Sequence, residues 1–189
     1  MSRAGFAADL LRHGETGSNG FRGRLDEPLT PTGWEQMRRG AQAGGPWQAV
    51  VSSPLSRCAA FAEAFAGQAC LPLEYDQRLA ELDFGDWEGL SAERVMQDQP
   101  ELLKRFWSDP WSCTPPGGES LAAFEGRIRA AWTDLARCYQ GQDVLVVTHS
   151  GVIRLSLCLA QKLGRGELLQ VDVPYGSLHR IAFNGDPGR

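Results

Sequence analysis

Two histidines lie where predicted strands end. His13 follows the apolar segment Phe6–Leu11, and His149 follows the apolar segment Asp143–Thr148. A neutral imidazole can attack phosphorus directly and form a phosphohistidine. A neighbouring arginine favours the neutral form, because a nearby positive charge lowers the pKa of a histidine. Since Arg12 directly precedes His13, this part of the chain indicates phosphoryl-transfer chemistry.

A second arginine and a carboxylate supply the other groups that phosphoryl transfer needs. Arg57 lies in the first turn of a helix predicted after the second strand. Planar guanidinium groups fit the oxygens of a phosphoryl group, which carry the charge in the transition state. The departing alkoxide also needs a proton. Glu81, which lies among apolar residues, is the candidate acid, and Glu88 is the alternative.

Other kinds of catalytic site receive little support. The three histidines, of which His179 is interpreted as an edge-strand residue, are too far apart in sequence for a local metal site. We therefore expect no metal and no other cofactor. The segment 118–122 approaches the G-x-S-x-G motif of serine hydrolases, but Ala122 replaces the last glycine and no strand precedes it. The five cysteines form no CxxC pair and are expected to be buried thiols.

The elements that must position these residues alternate between strand and helix. The predicted strands are Phe6–Leu11, Ala49–Ser52, Leu73–Tyr75, Asp143–Thr148 and His179–Phe183. This alternation predicts an α/β fold, a three-layer α/β/α sandwich around a mostly parallel sheet. In such sheets ligands bind outside the carboxyl ends of the strands. The fold would thus place Arg12, His13, Arg57 and His149 around one crevice.

Helix signals lie between the strands. One helix is predicted to begin at Thr30-Pro31 and to end near Gly44-Gly45, and another to span Val152–Leu163. Further helices are predicted to begin at Ser53-Pro54, after Ser91, after Pro100 and after Gly117–Ser120. Serine or threonine followed by proline is typical of a helix N-cap and first turn. The N-termini after Thr30, Ser53 and His149 would direct partial positive charge towards the crevice.

Residues 85–118 are irregular in pattern and rich in proline and tryptophan. We expect one domain over residues 1–189, with this segment as an irregular and helical insertion that covers the site. Its tryptophans, Trp87, Trp107 and Trp111, would either pack in the core or form the floor of a substrate cleft. Residues 184–189 are expected to form a loose tail.

The composition excludes several function classes. The chain has 189 residues, a net charge of −4 and a hydrophobic content of 42%. These values are typical of a globular protein and disfavour a general nucleic-acid or membrane-surface binder, which needs a basic surface. No apolar segment approaches the length of a membrane span. We expect a cytoplasmic protein whose partner is a small-molecule phosphomonoester, without nucleic acid or membrane; the oligomeric state is left open.

Four motifs, in order, resemble the histidine phosphatase superfamily, which includes the cofactor-dependent phosphoglycerate mutases. The motifs are Arg12-His13-Gly14-Glu15-Thr16 with Asn19, Phe21-Arg22-Gly23 and Pro28-Leu29-Thr30; Ser52-Ser53-Pro54-Leu55-Ser56-Arg57; Glu81 with Gly85, Trp87, Glu88 and Gly89; and His149-Ser150-Gly151. The matching pattern runs from about Leu10 to Phe183, which is nearly the whole chain. The resemblance implies a phosphoglycerate mutase-like fold and a metal-independent phosphoric monoester hydrolase.

The resemblance also implies catalytic roles. His13 would be the phosphorylated nucleophile, and Glu81 would be the general acid and then the base for water. Arg12, Arg57 and His149 would bind and neutralise the phosphoryl group.

Residues of the first motif would complete the phosphate site. Asn19 and the backbone of Gly23 would line it. Arg22 and Arg24 flank Gly23 where the family commonly has polar and aromatic residues. Arg22 would either contact a second acidic group of the substrate or be solvated.

Within the superfamily, the segments 84–88, 107–111 and 117–120 are most similar to the α-ribazole phosphatases. These enzymes remove a 5′-phosphate during nucleotide-loop assembly of cobalamin, so α-ribazole 5′-phosphate is the expected substrate. Three alternatives stay open: a broad-specificity small-molecule phosphatase, a phosphoglycerate mutase that protects the phosphohistidine from water, and a pseudoenzyme that only binds a phosphorylated ligand.

Overall fold

A five-stranded sheet forms the centre of the fold, and helices pack on both of its faces. The structure is a computed structural model that describes residues 6–183. The strands are β1 (Phe6–Arg12), β2 (Ala49–Ser52), β3 (Leu73–Tyr75), β4 (Asp143–Thr148) and β5 (Leu178–Phe183). Their order is β3-β2-β4-β1-β5, and all neighbours are parallel except β5, which is antiparallel to β1. The predicted α/β fold with a mostly parallel sheet is confirmed.

The helices form two layers around the sheet. They are α1 (Pro31–Ala41), α2 (Ser56–Ala69), α3 (Ala92–Asp98), α4 (Pro100–Ser108), α5 (Leu121–Cys138) and α6 (Ser150–Gln161). One hydrophobic cluster joins β1, β2 and β4 to α1 and α2, and a second joins them to α3, α4, α5 and α6. The sheet is therefore sandwiched between α1 and α2 on one face and the other four helices on the opposite face.

Strand β4 is buried on both faces, which explains its continuous apolar sequence. Val144 and Val146 belong to one cluster, whereas Leu145 and Val147 belong to the other. All four side chains are fully buried. A central parallel strand has no solvated face, so no polar alternation is expected in its sequence.

The start of α1 agrees with its sequence signal. The Thr30 hydroxyl accepts a hydrogen bond from the backbone N–H of Gly33 at 3.0 Å, and Pro31 is the first helical residue. The predicted end near Gly44-Gly45 is wrong, because α1 ends at Ala41. The amides of Ala43 and Gly44 donate to carbonyls three residues earlier, so a tighter turn replaces the last helical turn.

Three other predicted helix boundaries are wrong. Helix α2 begins at Ser56 and not after Ser53, because the Ser53 hydroxyl is hydrogen-bonded to His149 and to the amide of Leu55. Helix α6 begins two residues before Val152 and ends at Gln161, where Lys162 adopts a left-handed conformation with φ of 56°. Such a residue ends a helix because it turns the chain away from the helical path.

The segment 85–118 contains a short 3-10 helix, Gly85–Trp87, followed by α3 and α4. The short helices predicted after Ser91 and Pro100 are confirmed; the Ser91 hydroxyl accepts from the amide of Arg94 at 3.2 Å. Trp87 is fully buried and packs in the core, which is one of the two predicted roles, whereas Trp107 is 47% exposed.

Three cysteines are buried thiols as expected, but Cys70 and Cys138 are exposed at the ends of α2 and α5. All five are free. Over residues 6–183, no helix combines the length and the apolar character that crossing a bilayer requires. The expected tail, 184–189, lies outside the described residues.

Candidate active site

The two histidines meet at the carboxyl edge of the sheet because β1 and β4 are neighbours. Arg12 pairs with Thr148 at the ends of these strands, and the amide of His13 donates to the carbonyl of Thr148 at 2.9 Å. The next residue of β4 is His149. The centroids of the two imidazole rings are 5.1 Å apart, in an edge-to-face arrangement. The structure thus brings together two residues that are 136 positions apart in sequence.

His13 is held with one ring nitrogen available for attack. Its Nδ1 lies 2.8 Å from the carbonyl oxygen of Gly14. A carbonyl oxygen can only accept, so Nδ1 carries the hydrogen in the neutral ring and Nε2 keeps its lone pair. Burial, followed by the charge of Arg57, lowers the pKa of His13 to about 3, against the opposing effect of the hydrogen bond to the Gly14 carbonyl. The sequence predicted a neutral His13 from its neighbouring arginines, but burial lowers its pKa more than they do.

Arg57 is fully buried and oriented by the loop that follows the first motif. Its Nη1 donates to the carbonyl of Leu25 at 2.8 Å, and its Nη2 donates to the carbonyl of Gly23 at 2.7 Å. Its Nε is buried and has no hydrogen-bond partner among residues 6–183. A buried N–H without a partner is rare in folded proteins, so this donor is available to an oxyanion.

Arg12 is fixed by the segment that leads into β5. Its guanidinium stacks over the ring of Tyr175 at 3.9 Å and donates to the carbonyl of Val173. Its Nε, like that of Arg57, is buried without a partner within the described part of the chain. Two guanidinium groups beside His13 therefore each retain a donor.

His149 lies beneath His13, fully buried. Its Nε2 is 2.7 Å from the hydroxyl of Ser53 and 3.6 Å from the thiol of Cys58. Burial, followed by the charges of Arg57 and His13, lowers the pKa of His149 well below its usual value. Both histidines of the site are therefore neutral near pH 7.

Glu81 occupies the N-terminus of α6. Its Oε2 accepts from the amide of Gly151 at 3.0 Å and from the hydroxyl of Ser150 at 3.3 Å, and its Oε1 accepts from the amide of Leu82 at 3.0 Å. A Cβ at Gly151 would lie 2.3 Å from Oε1. Glycine is therefore needed here to admit the carboxylate. The N-terminus of α6, which was predicted to direct partial positive charge towards the crevice, lines the cavity and donates to Glu81 there.

Arg127, on α5, holds the backbone of the Glu81 segment. Its Nη1 donates to the carbonyls of Arg78 and Ala80, and its Nη2 donates to the carbonyl of Glu81 at 2.9 Å. The remaining donors pair with the Glu119 carboxylate at 2.8 and 2.9 Å. This role could not be predicted from the sequence, because Arg127 lies off the apolar face of α5 and belongs to no motif.

Glu88, the alternative acid, has a structural position. Its carboxylate accepts from the amides of Arg24, Leu25 and Phe84. It thereby fixes the loop that carries Gly23, whose φ is +42° and whose added Cβ would lie 2.0 Å from Glu88 Oε1. Glu88 is not among the residues that line the cavity beside His13.

A cavity of about 400 Å³ opens beside His13 and gathers most of the predicted site residues. Its polar end contains Arg12, His13, Asn19, Arg22, Gly23, Arg57 and Glu81. Its other walls are largely apolar and aromatic, and include Phe21, Phe84, Phe106, Trp107, Leu121, Phe124, Leu168 and Leu169. Of the residues predicted to bind phosphate, only His149 does not line this cavity; it is fully buried next to His13. Within residues 6–183, no cluster of three or more metal-ligating side chains is found.

Arg22, Tyr175 and Arg154 also line the cavity. Arg22 donates from Nε to Glu27 at 3.0 Å and from Nη1 to the hydroxyl of Tyr175 at 3.3 Å, so it is not simply solvated. Tyr175 was missed in the sequence because it lies in a loop without a motif. The Nε of Arg154 donates to the carbonyl of Val171 at 2.9 Å.

Known proteins match this chain over most of its length. The family model described as histidine phosphatase superfamily (branch 1) matches residues 9–189. A Mycobacterium tuberculosis protein named as bifunctional is 38% identical over 185 residues, which are 94% of this chain and 50% of that protein. The chain therefore spans about half the length of that relative.

Two further matches cover most of this chain and most of the protein it is compared with. The adenosylcobalamin/α-ribazole phosphatase of Escherichia coli is 32% identical over 160 residues, covering 82% of this chain and 78% of that enzyme. The solved structure of a mycobacterial glucosyl-3-phosphoglycerate phosphatase aligns with a TM-score of 0.84 at 27% identity, covering 94% of this chain and 90% of that one.

Proposed function

Because this chain belongs to branch 1 of the histidine phosphatase superfamily, we propose that it hydrolyses phosphomonoesters through a phosphohistidine on His13. The Nε2 lone pair of His13 attacks phosphorus, the bond from phosphorus to the ester oxygen breaks, and Glu81 gives a proton to the departing alcohol. Water then attacks the phosphohistidine, and Glu81 takes a proton from it. Inorganic phosphate leaves, and His13 is neutral again.

The proposal rests mainly on one observation: His13 is held in its neutral form, and two guanidinium N–H groups beside it have no hydrogen-bond partner in the described part of the chain. Nδ1 of His13 donates a hydrogen bond to the Gly14 carbonyl, so Nε2 would be the attacking atom. The buried Nε donors of Arg12 and Arg57 favour an oxyanion at the same place. Fixed donors in a buried site stabilise transition-state charge more strongly than solvated ones do.

His149 and the first motif complete the proposed phosphate site. A neutral His149, close to His13 and hydrogen-bonded through Ser53, would donate to a phosphoryl oxygen from its second nitrogen. Asn19 and the Gly23 backbone, in the same cavity, would contribute neutral donors. Arg22 would add a cationic group at the boundary between the phosphoryl group and the rest of the substrate.

We further propose α-ribazole 5′-phosphate as the first substrate to test. The E. coli relative acts on such a compound by its name, and the walls away from the phosphate end are mainly aromatic and aliphatic. Such walls favour an aromatic leaving group over a small polar one. The glucosyl-3-phosphoglycerate phosphatase with the similar fold supports a glycosylated phosphoglycerate, and with it a broader phosphatase, as the second candidate.

The test is metal-free phosphate release, in the presence of a chelator, from α-ribazole 5′-phosphate, 3-phosphoglycerate, ribose 5-phosphate and phenyl phosphate. We expect kcat/KM for the first ester to exceed the others by about 100-fold, or about 2.7 kcal/mol of discrimination. Equal rates with all four esters would leave a broad phosphatase and remove the cobalamin assignment. Release that requires a bisphosphate primer would favour a mutase, and no release at all would favour a binding protein.

A further inference from the structure

A second depression adjoins the active-site cavity. It has a volume of about 460 Å³ and is formed by the end of α4, the turn 109–112 and the 3-10 helix Arg165–Gln170. Trp107, Pro110 and Leu169 line both spaces. The two spaces are therefore adjacent, and a ligand in the cavity that extends past these three side chains would reach the depression.

The boundary between the two spaces is unusually apolar for a surface. Trp107 is 47% exposed and Leu169 is 41% exposed. They are two of the four exposed large hydrophobic side chains in residues 6–183. Neighbouring exposed apolar groups beside a cavity are typical of a surface that contacts a ligand.

The far side of the depression is a preformed polar and aromatic platform. The guanidinium of Arg165 lies 4.5 Å from the ring centroid of Trp111, and the indole Nε1 of Trp111 donates to the Arg165 carbonyl at 3.1 Å. The Asp109 carboxylate accepts from the amide of Trp111 at 3.1 Å and fixes the turn. The platform therefore presents cationic donors beside a flat ring, in a fixed position.

We propose that the cavity and the depression form one extended leaving-group site for phosphomonoesters that carry fused heteroaromatic rings. The phosphoryl group and the first polyol or sugar unit occupy the cavity. The planar ring system stacks on Trp107 and extends towards Arg165, which donates to ring carbonyl or nitrogen acceptors. This inference rests on the proposed phosphatase function and narrows its substrate class to long aromatic esters.

The experiment compares riboflavin 5′-phosphate with ribose 5-phosphate. Both are phosphates of a primary alcohol on a five-carbon unit, so the ester chemistry is matched, and only the first carries three fused rings. We expect kcat/KM to be at least tenfold higher for riboflavin 5′-phosphate. Each of Trp107→Ala and Arg165→Ala should lower the ratio of the two kcat/KM values about tenfold, in the range that stacking of one base supplies. Lys104→Ala, an exposed control on α4, should not change the ratio.

A binding measurement separates this inference from the proposed function. Riboflavin, which has no phosphate, should inhibit hydrolysis of phenyl phosphate competitively, and Arg165→Ala should weaken that inhibition about tenfold. If both esters are hydrolysed but the ratio and the inhibition do not respond to Trp107→Ala or Arg165→Ala, the extended site is wrong and the phosphatase stands. If no ester is hydrolysed, the phosphatase is wrong, and quenching of riboflavin fluorescence by wild type but not by Arg165→Ala would still support the extended site.

Discussion

The buried imidazole of His13 is surrounded by groups that make its charged form unfavourable. It is 5% exposed, Arg57 lies beside it, and its Nδ1 donor is satisfied by the Gly14 carbonyl. As the proposed nucleophile, His13 would need no separate base to activate it. In the proposed mechanism, the side chain that changes its proton in each half-reaction is Glu81, whose carboxylate is hydrogen-bonded to α6.

His13→Ala should abolish turnover, by at least about 10³-fold in kcat, because no other imidazole lines the cavity in the described part of the chain. One measurement is release of inorganic phosphate from phenyl phosphate. The other is trapping of the phosphohistidine, as phosphate-labelled enzyme, under alkaline conditions. His179→Ala, which removes the edge-strand histidine, should retain both activity and label. Near-normal activity of His13→Ala would contradict the mechanism.

Glu81→Gln should separate esters by the quality of their leaving group. We expect hydrolysis of an alkyl phosphate to fall about 10²- to 10³-fold and hydrolysis of an activated aryl phosphate to fall much less, since a good leaving group needs little protonation. Glu101→Gln, at an exposed position of α4, serves as the control. Equal losses for both esters would argue against Glu81 as the acid.

At the scale of elements, the strands could be predicted better than the connections. The predicted bounds of β2, β3 and β4 match the structure because a short apolar segment between turn signals has few alternatives. The motif residues converge because parallel strands end at one edge. Tyr175 and the role of Ser53 could not be predicted, because each depends on a contact with a segment more than 90 residues away.

Arg127 joins two elements, α5 and the segment that carries Glu81, and its loss should affect stability and catalysis together. Arg127→Ala leaves three carbonyls and the half-buried Glu119 without their donor, so we expect a loss of about 3 kcal/mol in the free energy of unfolding. Because Glu81 is then less well positioned, hydrolysis of alkyl phosphates should fall more than that of aryl phosphates.

The matched control for this helix is Arg129→Ala. Within residues 6–183, the guanidinium of Arg129 pairs with Glu125, one turn earlier on the same helix, and its removal should change the free energy of unfolding by less than about 0.5 kcal/mol. Urea unfolding of both variants and kcat for both esters provide the measurements. Equal stability of the two variants would show that the Arg127 contacts do not hold the segment.

For the whole molecule, two neutral histidines in one core make folding dependent on pH. The pKa of His13 is about 3 when folded, against a model-peptide value of 6.5. Below pH 6.5 the unfolded chain therefore binds a proton that the folded chain does not, and the free energy of unfolding falls as the pH falls towards 3. The contribution is about 1.4 kcal/mol per pH unit for His13 once the unfolded imidazole is protonated.

We therefore expect His13→Gln to have a shallower loss of stability than wild type between pH 6 and pH 4.5. Urea unfolding at several pH values gives the slopes directly. His179→Gln is the comparison, because His179 is only partly buried at the edge strand and bonds to Ser177. If His13→Gln and wild type had parallel profiles, the folded pKa of His13 would not be depressed.

The hydrogen bond from Arg12 to Val173 and the pairing of β1 with β5 join residues 161 to 177 positions apart. Because translation proceeds towards the C-terminus, Arg12 and His13 are made long before these partners. Until Val173, Tyr175 and β5 have been translated, the nascent chain lacks one side of the proposed phosphate site. We therefore expect the proposed hydrolysis to begin only once residues 173–183 can pair with β1.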